Sequence, residues 1–438
     1  MIESIKNIFA VPDLRKRVLF TLGLLGVYRI GNHIPTPGVN TEALAMLAEQ
    51  TRNTMFGMYD MFSGGSLSKA AIFALGVMPY ISASIILQLL TVVWPYLERL
   101  SKEGDLGRRK ITQYTRYGTI LIAVVQSLGI AVWLESQTQI IGGLPLVYTP
   151  GWGFRLMTVL TLTAGTTFIM WLGEQITERG IGNGMSLIIF AGIVAQLPRA
   201  VIATLGQMST GQIGLIRILL LIVFFIAVIA AIIFMERGSR RVTVQYAKRV
   251  VGRRMYGGQS THLPLKINSS GVIPPIFASS IIMFPATIAS FIKLPWMQSI
   301  AEAIRPGQAI YELLYVGFIF FFCYFYTAVT FNPTDVADNM KKAGGFIPGI
   351  RPGKRTSEYI DKVLSRITLG GAVYVSVVCV LPSILIAQFN LTFYFGGTAL
   401  LIVVGVAIDT ISQIESHMLT RHYEGFLKGG AGRVRGRY

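Results

Sequence analysis

Charge is scarce in this sequence. Of its 438 residues only 14% are Asp, Glu, Lys or Arg, against about 25% in soluble domains, while 52% are hydrophobic. With a mean hydropathy of +0.57, that shortage excludes an ordinary water-soluble enzyme. Cysteine is nearly absent. Cys323 and Cys379 both lie inside apolar runs, which excludes a disulfide framework and a thiolate metal site. The four histidines, His33, His262, His417 and His422, do not pair at ligand spacing. H-E-x-x-H, G-x-S-x-G and Walker A patterns are missing, and G-I-G-N-G at 180–184 is too short for a dinucleotide loop. Neither catalysis nor a cofactor or metal is expected. Acidic residues are the scarcest charges, 21 against 39 basic, leaving +18. Such an excess fits either cytoplasmic loops of a membrane protein or a polyanionic partner.

Long apolar runs are abundant instead. Each is close to the 20 residues that carry a helix across about 30 Å of hydrocarbon. Ten spans are read, near 18–34, 72–96, 117–135, 154–173, 185–205, 214–235, 270–292, 309–331, 367–388 and 397–416. Continuous runs of this kind are helices, because barrel strands alternate. The fifth is interrupted by Pro198 and Arg199, so by length alone it could be re-entrant. Charge decides: with ten crossings, 31 of the 39 basic residues fall on one side and 7 on the other. Both termini and the loops at 236–267 and 332–366 are therefore expected in the cytoplasm. The fold expected is an all-α polytopic membrane protein, with halves 1–205 and 206–438 of five spans each. An odd number per half forces the second to enter upside down, and inverted repeats place the functional site between halves. PYISASII at 79–86 lies against PIFASSII at 275–282, pairing spans two and seven. Only Arg29 and Asp409 lie well inside spans, each nearer an end. They read as snorkelling or paired charges, which disfavours an inverted-repeat transporter coupled to ions.

Residues 55–70, MFGMYDMFSGGSLSKA, are too short and polar to cross, and their glycines break any continuous helix with span two. They form either a surface amphipathic helix or a half-helix folded back into a cavity between the halves. Val77, Ile81 and Ile85 on span two, and Met185 and Ile189 on span five, recur at i, i+4. They are packing residues unless the halves enclose a pore, where branched apolar side chains make a dewetting constriction. A pore-less scaffold would leave the Ser-Gly-Gly segment without a role. In 236–267, Arg240, Arg241, Lys248, Arg249, Arg253 and Arg254 accompany Val242, Val244 and Tyr246, the alternation of a short strand, with Gly257-Gly258 as a turn. Such basic clusters attract nucleic-acid phosphates, anionic lipids or an acidic protein surface, and composition does not choose among them. Glycines and a proline fix Arg351 within GIRPG at 349–353.

Several ordered blocks carry a resemblance along essentially the whole chain: FSGGSLSKAAIFALGVMPYISASIILQLL (62–90), KEGDLGRRKITQYTRYG (102–118), WLGEQITERGIGNGMSLIIFAGIV (171–194), GRRMYGGQSTHLPLK (252–266), GFIPGIRPG (345–353) and FYFGGTALLIVV (393–404). On these the chain resembles the SecY family of bacterial protein-conducting channels. The resemblance implies two inverted halves around an hourglass pore. It further implies a plug at 61–71 (Met61, Phe62, Ser63, Gly64, Gly65, Ser66, Leu67 and onward). The pore ring would be Val77, Ile81, Met185, Ile189, Ile276 and Ile402, with Val77 and Met185 where isoleucine is frequent in relatives. Gln88, Gln126 and Ser279 are similar to the polar positions of a lateral gate between spans two and seven. Arg253 and Arg254 resemble the basic pair that meets motor or ribosome, and Arg351 an arginine of motor engagement. Implied partners are the small membrane subunits SecE and SecG, the motor ATPase SecA, the ribosome through its RNA, signal sequences, unfolded client chains and membrane lipids. The implied location is the bacterial plasma membrane.

Overall fold

A computed structural model describes residues 11–50, 55–136, 145–209, 214–246, 249–251, 254–256, 260–291, 308–389 and 397–431. The chain divides into two compact units. One comprises Met1–Leu205, Met283–Pro306 and Ile402–Tyr438, the other Gly206–Ile282 and Gly307–Leu401. A helix covers part of every predicted span. Among the described residues, six helices are long and apolar enough to cross a membrane, or seven if one bent pair is a single broken span. The protein is therefore a multi-pass membrane protein of mostly helical fold.

The first unit begins with α1 (Pro12–Gly31), α2 (Thr41–Gln50) and α3 (Met55–Phe62). It continues through α4 (Met78–Val93), α5 (Pro95–Lys102), α6 (Asp105–Ser136) and α7 (Trp152–Arg179). Span two starts later than the apolar run suggests. Gly76 has φ +56° and Pro79 sits in the first helical turn, so residues 72–77 remain turns and the helix starts at Met78. At the other end α4 and α5 are bent by 98°. Trp94, the residue before Pro95, is extended, as the proline ring requires. The fifth span is two short helices, α8 (Gly184–Val194) and α9 (Leu197–Ser209). Asn183 caps α8 by accepting from the amides of Met185 and Ser186.

The loop before α8 is pinned from three sides. The Thr21 hydroxyl accepts from the Ile181 amide, Thr177 from the Gly184 amide, and the Gln413 carboxamide oxygen from the Gly182 amide at 2.9 Å. Gln413 belongs to the last helix, which ties the chain beyond residue 402 to the first unit although sequence halving places it in the second.

The second unit contains α10 (Leu215–Arg237), strands β1 (Ser239–Tyr246), β2 (Arg249–Val251), β3 (Arg254–Tyr256) and β4 (Ser260–Lys266), and the start of α11 (Ile273–Phe291). Then come α12 (Ala309–Thr330), α13 (Pro333–Lys342), β5 (Gly345–Phe346), α14 (Lys354–Phe389) and the start of α15 (Gly397–Ala431). α10 is nearly bare of protein cover: Ile216 is 81% and Phe234 78% exposed, surface that only lipid or another apolar chain can cover. The two long basic loops form one small domain. β1 pairs antiparallel with β4 and, on its other edge, with β5, giving the order β4-β1-β5. Val242, Val244 and Leu265 pack against Met340, Ile347, Ile360 and Val363.

An aromatic stack joins the span helices of the first unit. Tyr28 of α1, Phe73 in the turn region, and Phe168 and Trp171 of α7 stack with centroids 5.7–6.0 Å apart. Small residues admit this packing: a Cβ on Gly31 would strike the Phe73 ring, and one on Gly165 would strike the Ile72 carbonyl. A Gly165→Val substitution is expected to destabilise this packing by about 1–3 kcal/mol. A fall in the thermal midpoint of the detergent-solubilised protein checks it, and an unchanged midpoint contradicts the packing.

Candidate functional site: a seated Ser-Gly-Gly segment

The Ser-Gly-Gly segment lies inside the first unit. Ser63 and Ser66 are fully buried, and Met61, Phe62 and Leu67 nearly so. Only 55–62 is helical, so most of 61–71 is turns rather than half-helix. The glycines explain this: Gly64 and Gly65 have φ of +73° and +81°, values that side chains disfavour.

Asp60 organises the segment from within. Its carbonyl accepts from the Gly65 amide at 2.8 Å and from the Ser63 hydroxyl, and its carboxylate accepts from the Ser68 amide at 2.8 Å. Burial pushes the Asp60 carboxyl above the usual carboxylate range, and the Ser68 amide opposes that shift. The Ser66 hydroxyl donates to the Ser63 carbonyl, and the Ala71 amide to the Ser66 carbonyl. Two further bonds fasten the far end to the chain after α1: Thr36 amide to Ala70 carbonyl at 2.7 Å, and Ile72 amide to Ile34 carbonyl at 2.9 Å.

The surrounding helices grip the segment by its carbonyls. The Tyr28 hydroxyl donates to Ser63 at 3.3 Å, the Arg29 guanidinium to Gly64 at 3.1 Å, and the Gln196 carboxamide to Asp60 at 3.3 Å. Tyr59 donates from α3 to the Leu75 carbonyl. Gly64 faces Gly192 of α8 with backbone against backbone. A Cβ on Gly64 would lie 2.9 Å from the Gly192 Cα, and one on Gly192 3.1 Å from the Gly64 Cα. Sequence reading singled out Arg29 only as a snorkelling or paired charge and passed over Tyr28, Gly192 and Gln196. An arginine within an apolar span was the one available signal.

Of the candidate ring residues, Val77, Ile81, Ile189 and Ile402 are buried in the first unit, and Ile276 in the second. Val77 caps α4 and its carbonyl accepts from the Ile81 amide, so the i, i+4 spacing survives at the helix start. The Met185 thioether packs over Gly173 of α7. Gln88 and Ser279 turn inward on their own helices, to Ser84 and to the Ile276 carbonyl. Gln126 keeps a buried carboxamide oxygen without a partner. Arg351 is exposed in a turn between Gly349 and Gly353, with φ of +81° and +105°, and its carbonyl accepts from the Thr356 hydroxyl. Arg254 lies on β3, while Arg253 and Gly257-Gly258 lie outside the described residues.

Known proteins match along nearly the whole chain. The sequence pattern of the SecY family matches residues 71–411. The protein translocase subunit SecY of Escherichia coli K12 is 54% identical over 420 residues, covering 95% of this chain and 94% of that protein. The SecY subunit of Aquifex aeolicus is 49% identical over 429 residues, covering 98% of this chain and all of the relative. Among solved structures, a protein-conducting channel superposes with a TM-score of 0.65 at 16% identity, covering 93% of each chain. A SecY channel whose plug domain stabilises the closed state and maintains a membrane seal does so with the same score, identity and coverage. Sec61 in the canine ribosome-channel complex gives 0.61 at 16% identity, again over 93% of each chain. These likenesses concern the fold. Family pattern and identity together establish that the chain belongs to the SecY family.

Proposed function

We propose that this chain is the protein-conducting channel of a bacterial translocase, passing unfolded secretory chains across the plasma membrane and releasing membrane proteins sideways into lipid. One observation carries the reading. A glycine-containing, largely non-helical segment is buried among span helices, held by hydrogen bonds to its carbonyls. Irregular backbone at membrane depth is tolerated where it lines or fills a cavity. Residues 61–71 act as a plug, Val77, Ile81, Met185, Ile189, Ile276 and Ile402 as an apolar collar, and α4 with α11 as the gate, whose polar positions are Gln88 on α4, Ser279 on α11 and Gln126 on α6. A signal sequence, itself an apolar helix, partitions between gate and lipid. Its binding displaces the plug, and the collar closes around the threaded chain to exclude ions. Apolar client segments leave sideways because hydrocarbon is their better solvent.

The driving force comes from outside, since the sequence has no nucleotide motif. The chain itself acts without catalysis or cofactor. Arg253, Arg254 and Arg351 dock a motor ATPase such as SecA, or a ribosome, with SecE and SecG as membrane partners and both termini cytoplasmic. Support comes from the cytoplasmic domain: the glycine turns hold Arg351 out to solvent beside the sheet core.

Deleting residues 61–71 is expected to raise the resting conductance of planar bilayers containing the reconstituted protein. Conductance equal to that of the full chain overturns the channel reading. Arg351→Glu is expected to cut ATP-driven transport of a signal-bearing client at least tenfold, with membrane integration of the chain unchanged. Normal transport in that assay contradicts the docking role.

A further inference from the structure

Three side chains outside the plug hold its backbone and that of Asp60, the residue just before it. Tyr28 and Arg29 are neighbours on α1, and Gln196 lies in the turn between α8 and α9, far away in sequence. Their donors end on the carbonyls of residues 60, 63 and 64, within one turn of chain. The grip therefore does not depend on which side chains the plug carries. Gly64 and Gly192 allow the close approach, because a methyl on either forces the two backbones apart. Inside the segment, Asp60, Ser63 and Ser66 brace residues 60–68. Two backbone bonds anchor 70–72 to 34–36. Ala70 is the first residue of the anchored part, and its φ of +45° makes it the one non-glycine residue with positive φ among the described residues. A left-handed alanine is strained, and that strain sits where the braced part would pivot.

We propose that Tyr28, Arg29 and Gln196 form a polar latch that sets how readily the plug unseats, with Arg29 its principal positioning residue. This rests on residues 61–71 being the plug. The latch then acts as a threshold on clients. A signal sequence shifts closed to open only by its differential affinity for the open state. Weakening the latch favours weak signals over strong ones, because strong signals already drive opening to completion. A bond from a charged donor to a buried carbonyl corresponds to roughly a tenfold to hundredfold population shift.

The test uses the full chain reconstituted with its partner subunits and reads resting opening frequency together with transport of two clients, one with an intact and one with a weakened signal. Arg29→Ala is expected to raise opening at least about tenfold and to raise the ratio of weak-signal to intact-signal transport, with Arg29→Lys restoring most of the closure. Tyr28→Phe removes only a hydroxyl and Gly192→Ala adds only a methyl. Both should shift the same readouts in the same direction, so the test survives a poorly folding Arg29→Ala. Plug deletion is the reference. If deletion leaks while all three variants stay as tight as the unaltered chain, the latch is wrong and the channel reading stands. A leak without change in the client ratio overturns the threshold. If deletion itself does not leak, the plug reading falls and the latch with it.

Discussion

Peptide groups removed from water have to find partners, and in a bilayer only regular helices do so without outside help. Residues 60–76 are the exception around which the first unit is arranged. Their turns leave carbonyls at Asp60, Ser63, Gly64, Ala70 and Leu75 that no helix ladder satisfies. Each receives a donor from elsewhere: Gln196, Tyr28, Arg29, the Thr36 amide and Tyr59. Tyr28, Arg29, Tyr59 and Gln196 are thus accounted for by the backbone they face. The glycines on α7 and α8 follow from the same requirement, since Gly165 and Gly192 clear room for main chain at Ile72 and Gly64.

A second constraint acts on the two basic loops. The loop strands cannot fold as an isolated hairpin, because two strands bury too little. β1 solves this by pairing on both edges, with β4 from its own loop and with β5 from a loop about 100 residues later. α13 and the start of α14 close the core through Met340, Ile360 and Val363. Arg240 and Arg241 on β1 and Arg351 after β5 are therefore borne on a shared scaffold rather than on two independent tethers. Ile350, beside Arg351, packs on a core that includes Val242 and Val244 of β1, the strand that follows α10. The Asn268 carboxamide, donating to Glu236 at 2.6 Å, ties the end of α10 to the chain entering α11.

The spans were legible because lipid imposes one crude rule, an unbroken apolar run, and each predicted run contains a helix. Their ends were less so. The start of span two depends on Gly76 and Pro79 overriding apolar character, and span five breaks at Ala195-Gln196 rather than running on to 205. The turns at Ser-Gly-Gly were visible in the glycines, and the strand alternation of Val242, Val244 and Tyr246 was visible as period two. The seat was hidden for a definite reason. Its acceptors are carbonyls, which every residue has, and its donors lie 35 and 136 positions away. Nothing local marks Gln196 as a partner of Asp60. Likewise nothing local marks Gln413 of the last helix as the partner of the Gly182 amide.

The chemistry of the seat matters for a closure that must come undone. Apolar burial grows with area, at about 25 cal/mol per Å², and fully burying one large side chain is worth about 1.5–3 kcal/mol. A plug held only by Phe62, Leu67 and their neighbours would lose that contribution whole on leaving. Hydrogen bonds to carbonyls behave differently, because net they amount to about 1 kcal/mol from a neutral donor and about 1.5–3 kcal/mol from a charged one such as Arg29, and another backbone can replace them. On the reading proposed above, an extended client carries carbonyls of the same kind, so Tyr28, Arg29 and Gln196 would find new acceptors once the plug has left. On that reading, a seat made of exchangeable bonds around a small apolar face holds at rest and still yields to a chain that offers the same groups.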